Sequence, residues 1–152
     1  MALTLVQQPG QILQVGQTVT TAYQQVVDST PVDTALTRAI TPKFSTSKVM
    51  VNIAACFTVS NVDAAETTVL LKRTIGGSTT TLINGERFVF MDGDGSGNNH
   101  VGWPSTMMYL DSPNTTSSTV YNPTFRRGSD SATCYIGHSN MVSTFTAIEF
   151  SS

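Results

Sequence analysis

The chain has 152 residues, a length that fits one domain, since domains run ~100–200 residues. Charged residues make up 12%, against ~25% in an average soluble domain, while 39% are hydrophobic, so the composition is that of a folded chain with a hydroxyl-rich surface. The net charge is −2 and the eight basic residues are scattered. That leaves no basic footprint for nucleic acid, and no run approaches the ~20 apolar residues of a membrane span.

In chain order, Met1-Ala2-Leu3-Thr4-Leu5-Val6-Gln7-Gln8 has no basic region, and its apolar run is too short for a secretory signal. Residues 1–9 are expected to form an N-terminal arm that could add a strand to a neighbour. Residues 10–152 are expected to form a single domain. From Gly10 to Thr20, period-two alternation sets Leu13, Val15 and Val19 against Gln14, Gly16 and Thr18, the pattern of a strand. A strand at Tyr23–Val27 and another at Leu36–Thr41 flank the turn cluster Asp28-Ser29-Thr30-Pro31. The strongest strand is Lys48–Ser60. Val49, Val51, Ile53, Ala55, Phe57 and Val59 share one face, and Met50, Asn52, Ala54, Cys56 and Thr58 the other. The second face is half apolar, so a covering element is expected there.

Thr67–Ile75 and Thr79–Ile83 read as strands joined through Gly76-Gly77-Ser78, a tight hairpin. The longest irregular stretch is Met91–Pro104. Later strands are Met107–Leu110, Thr119–Phe125, Ala132–Ile136 and Met141–Phe150. Pro123 places its strand at an edge or at a bulge, because proline cannot donate to a ladder. Val142, Thr144, Thr146, Ile148 and Phe150 alternate with Ser143, Phe145, Ala147 and Glu149. Apolar residues on both faces suit a central strand or one at a subunit contact. The expected fold is all-β: an antiparallel β-sandwich, jelly-roll-like, with about 8–10 short strands, a closed barrel being the alternative.

The pattern holds little chemistry. Asp92-Gly93-Asp94-Gly95-Ser96-Gly97-Asn98-Asn99-His100 resembles the first half of a calcium loop, but Trp103 occupies the place of the bidentate glutamate. The loop is read as a plain connection, with ion or glycan binding as its sharper reading. His100 and His138 lack partners at catalytic spacing. Ser96 sits between glycines without a strand leading to it, and no phosphate or dinucleotide loop occurs. The acidic residues lie mostly in turns, so paired carboxylates for sugar cleavage are not expected. Trp103 is expected to pack its loop onto the sandwich or to anchor a partner. Asn114-Thr115-Thr116 matches a glycosylation acceptor, which carries no meaning without a secretory route. Cys56 and Cys134 are expected to be buried free thiols, and the two make no zinc pattern. The expectation is therefore no catalytic residue, no metal, no cofactor and no enzymatic role.

Three segments carry a resemblance: Gly10-Gln11-Ile12-Leu13-Gln14-Val15, then Ile40-Thr41-Pro42-Lys43-Phe44-Ser45-Thr46-Ser47-Lys48-Val49, then Tyr109-Leu110-Asp111-Ser112-Pro113 followed by Val120-Tyr121. In this order they resemble a small β-sandwich family of tailed-phage virion proteins, known from marine and cyanobacterial phages. Its members are head decoration or cement proteins and distal domains of tail fibres. The resemblance implies a virion location after assembly in the host cytoplasm, a homotrimer, and contact with the major capsid protein or other virion proteins. It carries no catalytic residues. A short chain without a shaft favours capsid decoration. A tail-fibre or receptor-binding module for host-surface glycans is the alternative, and a carbohydrate-binding domain outside any virus a third. Trp103, Asn98, Asn99 and Asp94 are the residues a glycan site would use.

Overall fold

The computed structural model describes residues 8–60, 65–91, 100–128, 133–137 and 141–152. Among them there is no helix. Eleven strands occur: β1 Ile12–Thr20, β2 Gln24–Val26, β3 Val32–Asp33, β4 Arg38–Ile40, β5 Lys48–Ser60, β6 Ala65–Ile75, β7 Ser78–Met91, β8 His100–Asp111, β9 Thr119–Arg127, β10 Thr133–Ile136 and β11 Ser143–Phe150. They form two antiparallel sheets. The first runs β1-β11-β5, with β8 on the far side of β5, and β10 and β2 continuing from the upper half of β5. The second runs β9-β6-β7, with β3 and β4 both on the free side of β9.

The pairing is nested. β6 pairs β7, β5 pairs β8, β4 pairs β9 and β1 pairs β11. This is one long hairpin rolled into two sheets, which is the jelly-roll arrangement. The hairpin tip is the turn at Gly76 and Gly77, whose φ values of 55° and 83° only glycine adopts at no cost. The expected Gly-Gly-Ser hairpin is therefore the innermost element of the fold.

Alternation fills the core. Val49, Val51, Ile53, Ala55, Phe57 and Val59 point inward from β5, as their spacing predicts, and all are buried. Phe145 and Ala147 of β11, Val69 and Leu71 of β6, and Tyr121 and Phe125 of β9 complete the layer between the sheets. Phe57 and Phe125 meet across it with ring centroids 6.2 Å apart. Each fully buried aliphatic or aromatic side chain contributes ~1.5–3 kcal/mol. β5 and β11 are both flanked by strands on two sides, so β11 is a central strand, one of the two places expected for it.

Four expectations change. The two-residue β3 was not foreseen, and the strand count rises to eleven. Part of the stretch expected to be irregular, Met91–Pro104, is strand, because β7 runs to Met91, β8 begins at His100 and Pro104 lies within it. Proline is tolerated there because β8 pairs on one side only. Pro123, by contrast, lies in a strand flanked on both sides. Its missing N–H falls in the gap where β3 has ended and β4 has not begun, and its carbonyl accepts from the Thr34 N–H at 3.1 Å. Finally, a register shift between Ile12 and Gln14 turns Val15 and Val19 of β1 outward, both more than half exposed. The inward place of Gly16 is filled by the Arg38 guanidinium lying over it.

The turn at Asp28 forms as its composition predicts. Its carboxylate accepts from the Thr30 N–H at 3.1 Å, and that bond holds its carboxyl below the usual range. Residues 1–7 of the expected arm lie outside the described residues. Gln8 to Gln11 are tied to the end of β11, the Gly10 N–H donating to the Ser151 carbonyl at 2.9 Å.

Candidate interaction surface

The two ends of the sandwich differ. At the end where β5 starts and β8 and β11 finish, polar side chains lock the strands together. Asp111 of β8 is 4% exposed and sits between the sheets. Its carboxylate accepts from Arg73 Nη1 of β6 at 2.8 and 2.9 Å and from the Tyr121 hydroxyl of β9 at 2.7 Å. Burial, then the Asp111 carboxylate, pushes the Tyr121 phenol well above its ordinary pKa of 10.0. Glu149 of β11 is fully buried. It accepts from the Lys43 N–H at 2.6 Å and from Gln14 Nε2 at 2.5 Å, so it clamps the β4–β5 connection to β1. Lys48 Nζ donates to Ser112 Oγ at 2.7 Å.

All three segments of the resemblance meet at this end. The residues they share therefore serve the architecture, satisfying buried polar groups where four strands and two loops converge. Glu149 gave only a weak signal, a single acid at an inward position of an apolar strand. Asp111 and Tyr121 stand in one segment of the resemblance, but nothing marked them as bonded, because ten residues of sequence and two different sheets separate them.

The Asp92–Asn99 segment, with Asp94, Ser96, Asn98 and Asn99, and His138 lie outside the described residues. His100 is the first residue of β8. Among the described residues no three His, Cys, Asp or Glu side chains gather as a metal site would require.

Cys56 and Cys134 are both buried and free, as expected. Cys134 lies in the core opposite Val59, whereas Cys56 belongs to the other face of β5, so the sheet separates the thiols. Burial pushes the Cys134 thiol up from 9.0.

The outer face of the first sheet holds the main surface feature. Its upper half is covered: Tyr135 of β10 stacks on Tyr23 at 5.7 Å, and its hydroxyl meets Ser60 Oγ at 3.1 Å. Its lower half is open. There Leu110, Met50, Ile148 and Val15 stand side by side on β8, β5, β11 and β1, because the registers pair Met50 with Leu110, Ile148 with Met50 and Val15 with Ile148. The row crosses three strand spacings, ~15 Å. Leu110 is 60% exposed, Met108 beside it 66% and Val15 59%. Next to it, Ala54, Cys56, Pro104, Thr106, Val142 and Thr144 line a shallow recess of about 430 Å³. Lys48, at the rim, is the one charged side chain pointing out from β1, β5, β8 and β11 among the described residues. Continuous apolar area of this kind marks interaction surfaces.

Trp103 is on β8 rather than on a loop, and it is 59% exposed. It pairs with Phe57 but projects beyond the core at the sheet edge. The expectation that it packs a loop onto the sandwich is not met. Its indole is left available to a partner.

No family model matches the chain, and no curated protein matches it in sequence. Among solved structures it is similar to a protein of the infectious bursal disease virus particle, with a TM-score of 0.36, 9% identity, and 90% of this chain and 35% of that chain covered. It is also similar to a protein of the Gx strain of infectious bursal disease virus, with a TM-score of 0.38, 8% identity, and 90% and 36% covered. The chain spans about a third of the length of each. Both likenesses are distant.

Proposed function

We propose that this chain is a structural virion protein, a capsid decoration (cement) protein that stabilises a head through protein–protein contacts and has no enzymatic role. The observation that carries the reading is the apolar row Leu110–Met50–Ile148–Val15 on an almost uncharged sheet face. Such a face gains free energy by leaving water, at ~25 cal/mol per Å². Its natural partner is another protein chain: the major capsid protein or a second virion component. The resemblance to phage virion proteins supplies the setting, and it adds a homotrimer. Electron microscopy of the particle that carries the chain tests this reading. Density on the capsid lattice is expected. Density confined to the tail tip would move the chain to the tail fibre, and particles that lack the chain would end the proposal.

The exposed Trp103 favours a second reading, a receptor-binding module for host-surface glycans. Jelly rolls serve lectins as well as capsids, so the fold alone does not choose between them. A glycan array separates the two. Saturable binding that Trp103→Ala abolishes would favour the receptor-binding module, and a blank array the structural role.

A further inference from the structure

Each long sheet needs its edges protected, because an uncovered strand edge pairs with other chains. In this fold most edges are protected by identifiable means. β2, β3 and β4 are two or three residues long. β1 is covered by the segment that precedes β5: Arg38 Nη1 donates to the Gln17 carbonyl, Thr18 Oγ1 to the Thr37 carbonyl and Gln14 Nε2 to the Thr41 carbonyl. β7 is irregular, with three register shifts against β6 and a φ of 85° at Gly85. Bulges of this kind turn an edge away from pairing.

β8 has only one such feature, Pro104, whose missing N–H removes a single ladder bond from its free edge. It pairs β5 over twelve residues without a register shift, and no described strand lies on its other side. From Gly102 to Leu110 it carries no charged residue. Two of its most exposed side chains are Trp103 and Met108.

We propose that β8 is a self-association edge, pairing antiparallel with β8 of a second copy of this chain about a two-fold axis at Thr106. The occupant follows from charge and area. A strand uncharged from Gly102 to Leu110, whose terminal Asp111 is already paired with Arg73, meets its own copy without repulsion, whereas an acidic or basic partner would find no counter-charge. The wall formed by β8 and the edge of β7 below it is ~36 Å long over the eleven paired residues and ~20 Å high, given strand rise and sheet spacing. It would bury ~700 Å² per copy, ~1,400 Å² in all, within the range of stable specific interfaces. The axis at Thr106 sets the exposed Trp103 opposite the half-buried Tyr109 of the second copy, and the exposed Met108 opposite its Pro104. Both copies then share one continuous sheet, and their apolar rows lie on the same side of it. The contact leaves the rest of the outer face free for a trimer contact or a shell, and it does not depend on the virion reading.

Light scattering on the purified full chain tests it. A mass of two times 16.2 kDa is expected, or six times if the trimer also forms. Thr106→Cys should cross-link into a covalent dimer on mild oxidation, since cross-strand neighbours meet disulfide geometry. Met108→Lys should weaken dimerisation at least tenfold with an unchanged far-UV spectrum. A mass of one or three chains at micromolar concentration would overturn the proposal. So would a dimer that Thr106→Cys does not cross-link and Met108→Lys does not weaken. Particle imaging bears on the virion role alone, so the two failures are distinguishable.

Discussion

The Tyr121 hydroxyl donates to the Asp111 carboxylate at 2.7 Å, and the two residues belong to different sheets. With Arg73 they form a polar bridge between the two sheets. Hydrogen bonds to a charged group contribute ~1.5–3 kcal/mol, so Tyr121→Phe is expected to lower stability by about that much in urea titration. Asp111→Ala should cost more, because it strips both the phenol and the guanidinium of their acceptor.

The same phenol makes stability fall at alkaline pH. Its folded pKa is raised above 10.0, so its contribution is whole below pH 10.0 and is lost as pH climbs beyond that value. Cys134, raised from 9.0, begins a similar loss one unit lower. Urea midpoints measured across this range should decline in the wild type. Tyr121→Phe combined with Cys134→Ala should flatten the decline.

Glu149 tests the clamp at the locked end. Glu149→Gln keeps an acceptor for the Lys43 N–H but sets one amide donor against Gln14 Nε2. It should cost ~1 kcal/mol, the worth of one hydrogen bond. Glu149→Ala leaves the Lys43 N–H without its partner and should cost about 3 kcal/mol. In the Gln14→Ala background the penalty of Glu149→Gln should vanish, a coupling that a double-mutant cycle reads directly.

Two glycines with positive φ separate conformational strain from collision. At Gly77 an added Cβ meets nothing within 4 Å, so Gly77→Ala costs only the left-handed backbone, ~1 kcal/mol. At Gly137, with φ of 72°, the Cβ would collide with the Ala22 carbonyl. Gly137→Ala should therefore lower the melting temperature several degrees more than Gly77→Ala.

The open sheet face should be dispensable for folding and needed for association. Leu110→Lys and Val15→Lys replace side chains that are already more than half exposed, and their stability should stay within ~0.5 kcal/mol of wild type. Binding to the particle should fall sharply in both, measured by co-sedimentation. Retained binding would place the contact elsewhere.

The periodic part of the sequence predicted the periodic part of the structure. Lys48–Ser60 is found with the bounds its alternation marks, because a strand buried on its inner face must alternate strictly. Failures occurred where tertiary context outweighed local pattern. Pro104 looked like the close of a loop, yet a one-sided strand admits it. Pro123 looked like an edge residue, yet a gap between two short strands spares it. Val15 and Val19 read as one face of a strand, and a single bulge placed that face outside. The interaction surface was legible only as a half-apolar second face on Met50 and Ile148. Its extent depends on register across four strands, which no local pattern encodes. The bond between Asp111 and Tyr121 was equally hidden, since it forms only after the sheets stack.

The nested pairing also fixes an order of events in folding. Only the Gly76–Gly77 hairpin joins neighbours in sequence; each outer pair must close a longer loop than the one inside it. For β1 and β11 the separation reaches about 135 residues, as between Gln14 and Glu149. Loop closure of that span is slow, and topologies built from such contacts fold in milliseconds to seconds. On the ribosome β1 must therefore wait, unpaired, until nearly the whole domain has emerged. Throughout that interval the backbone edge of β1 has no strand to pair with, the condition in which partly folded chains associate with one another.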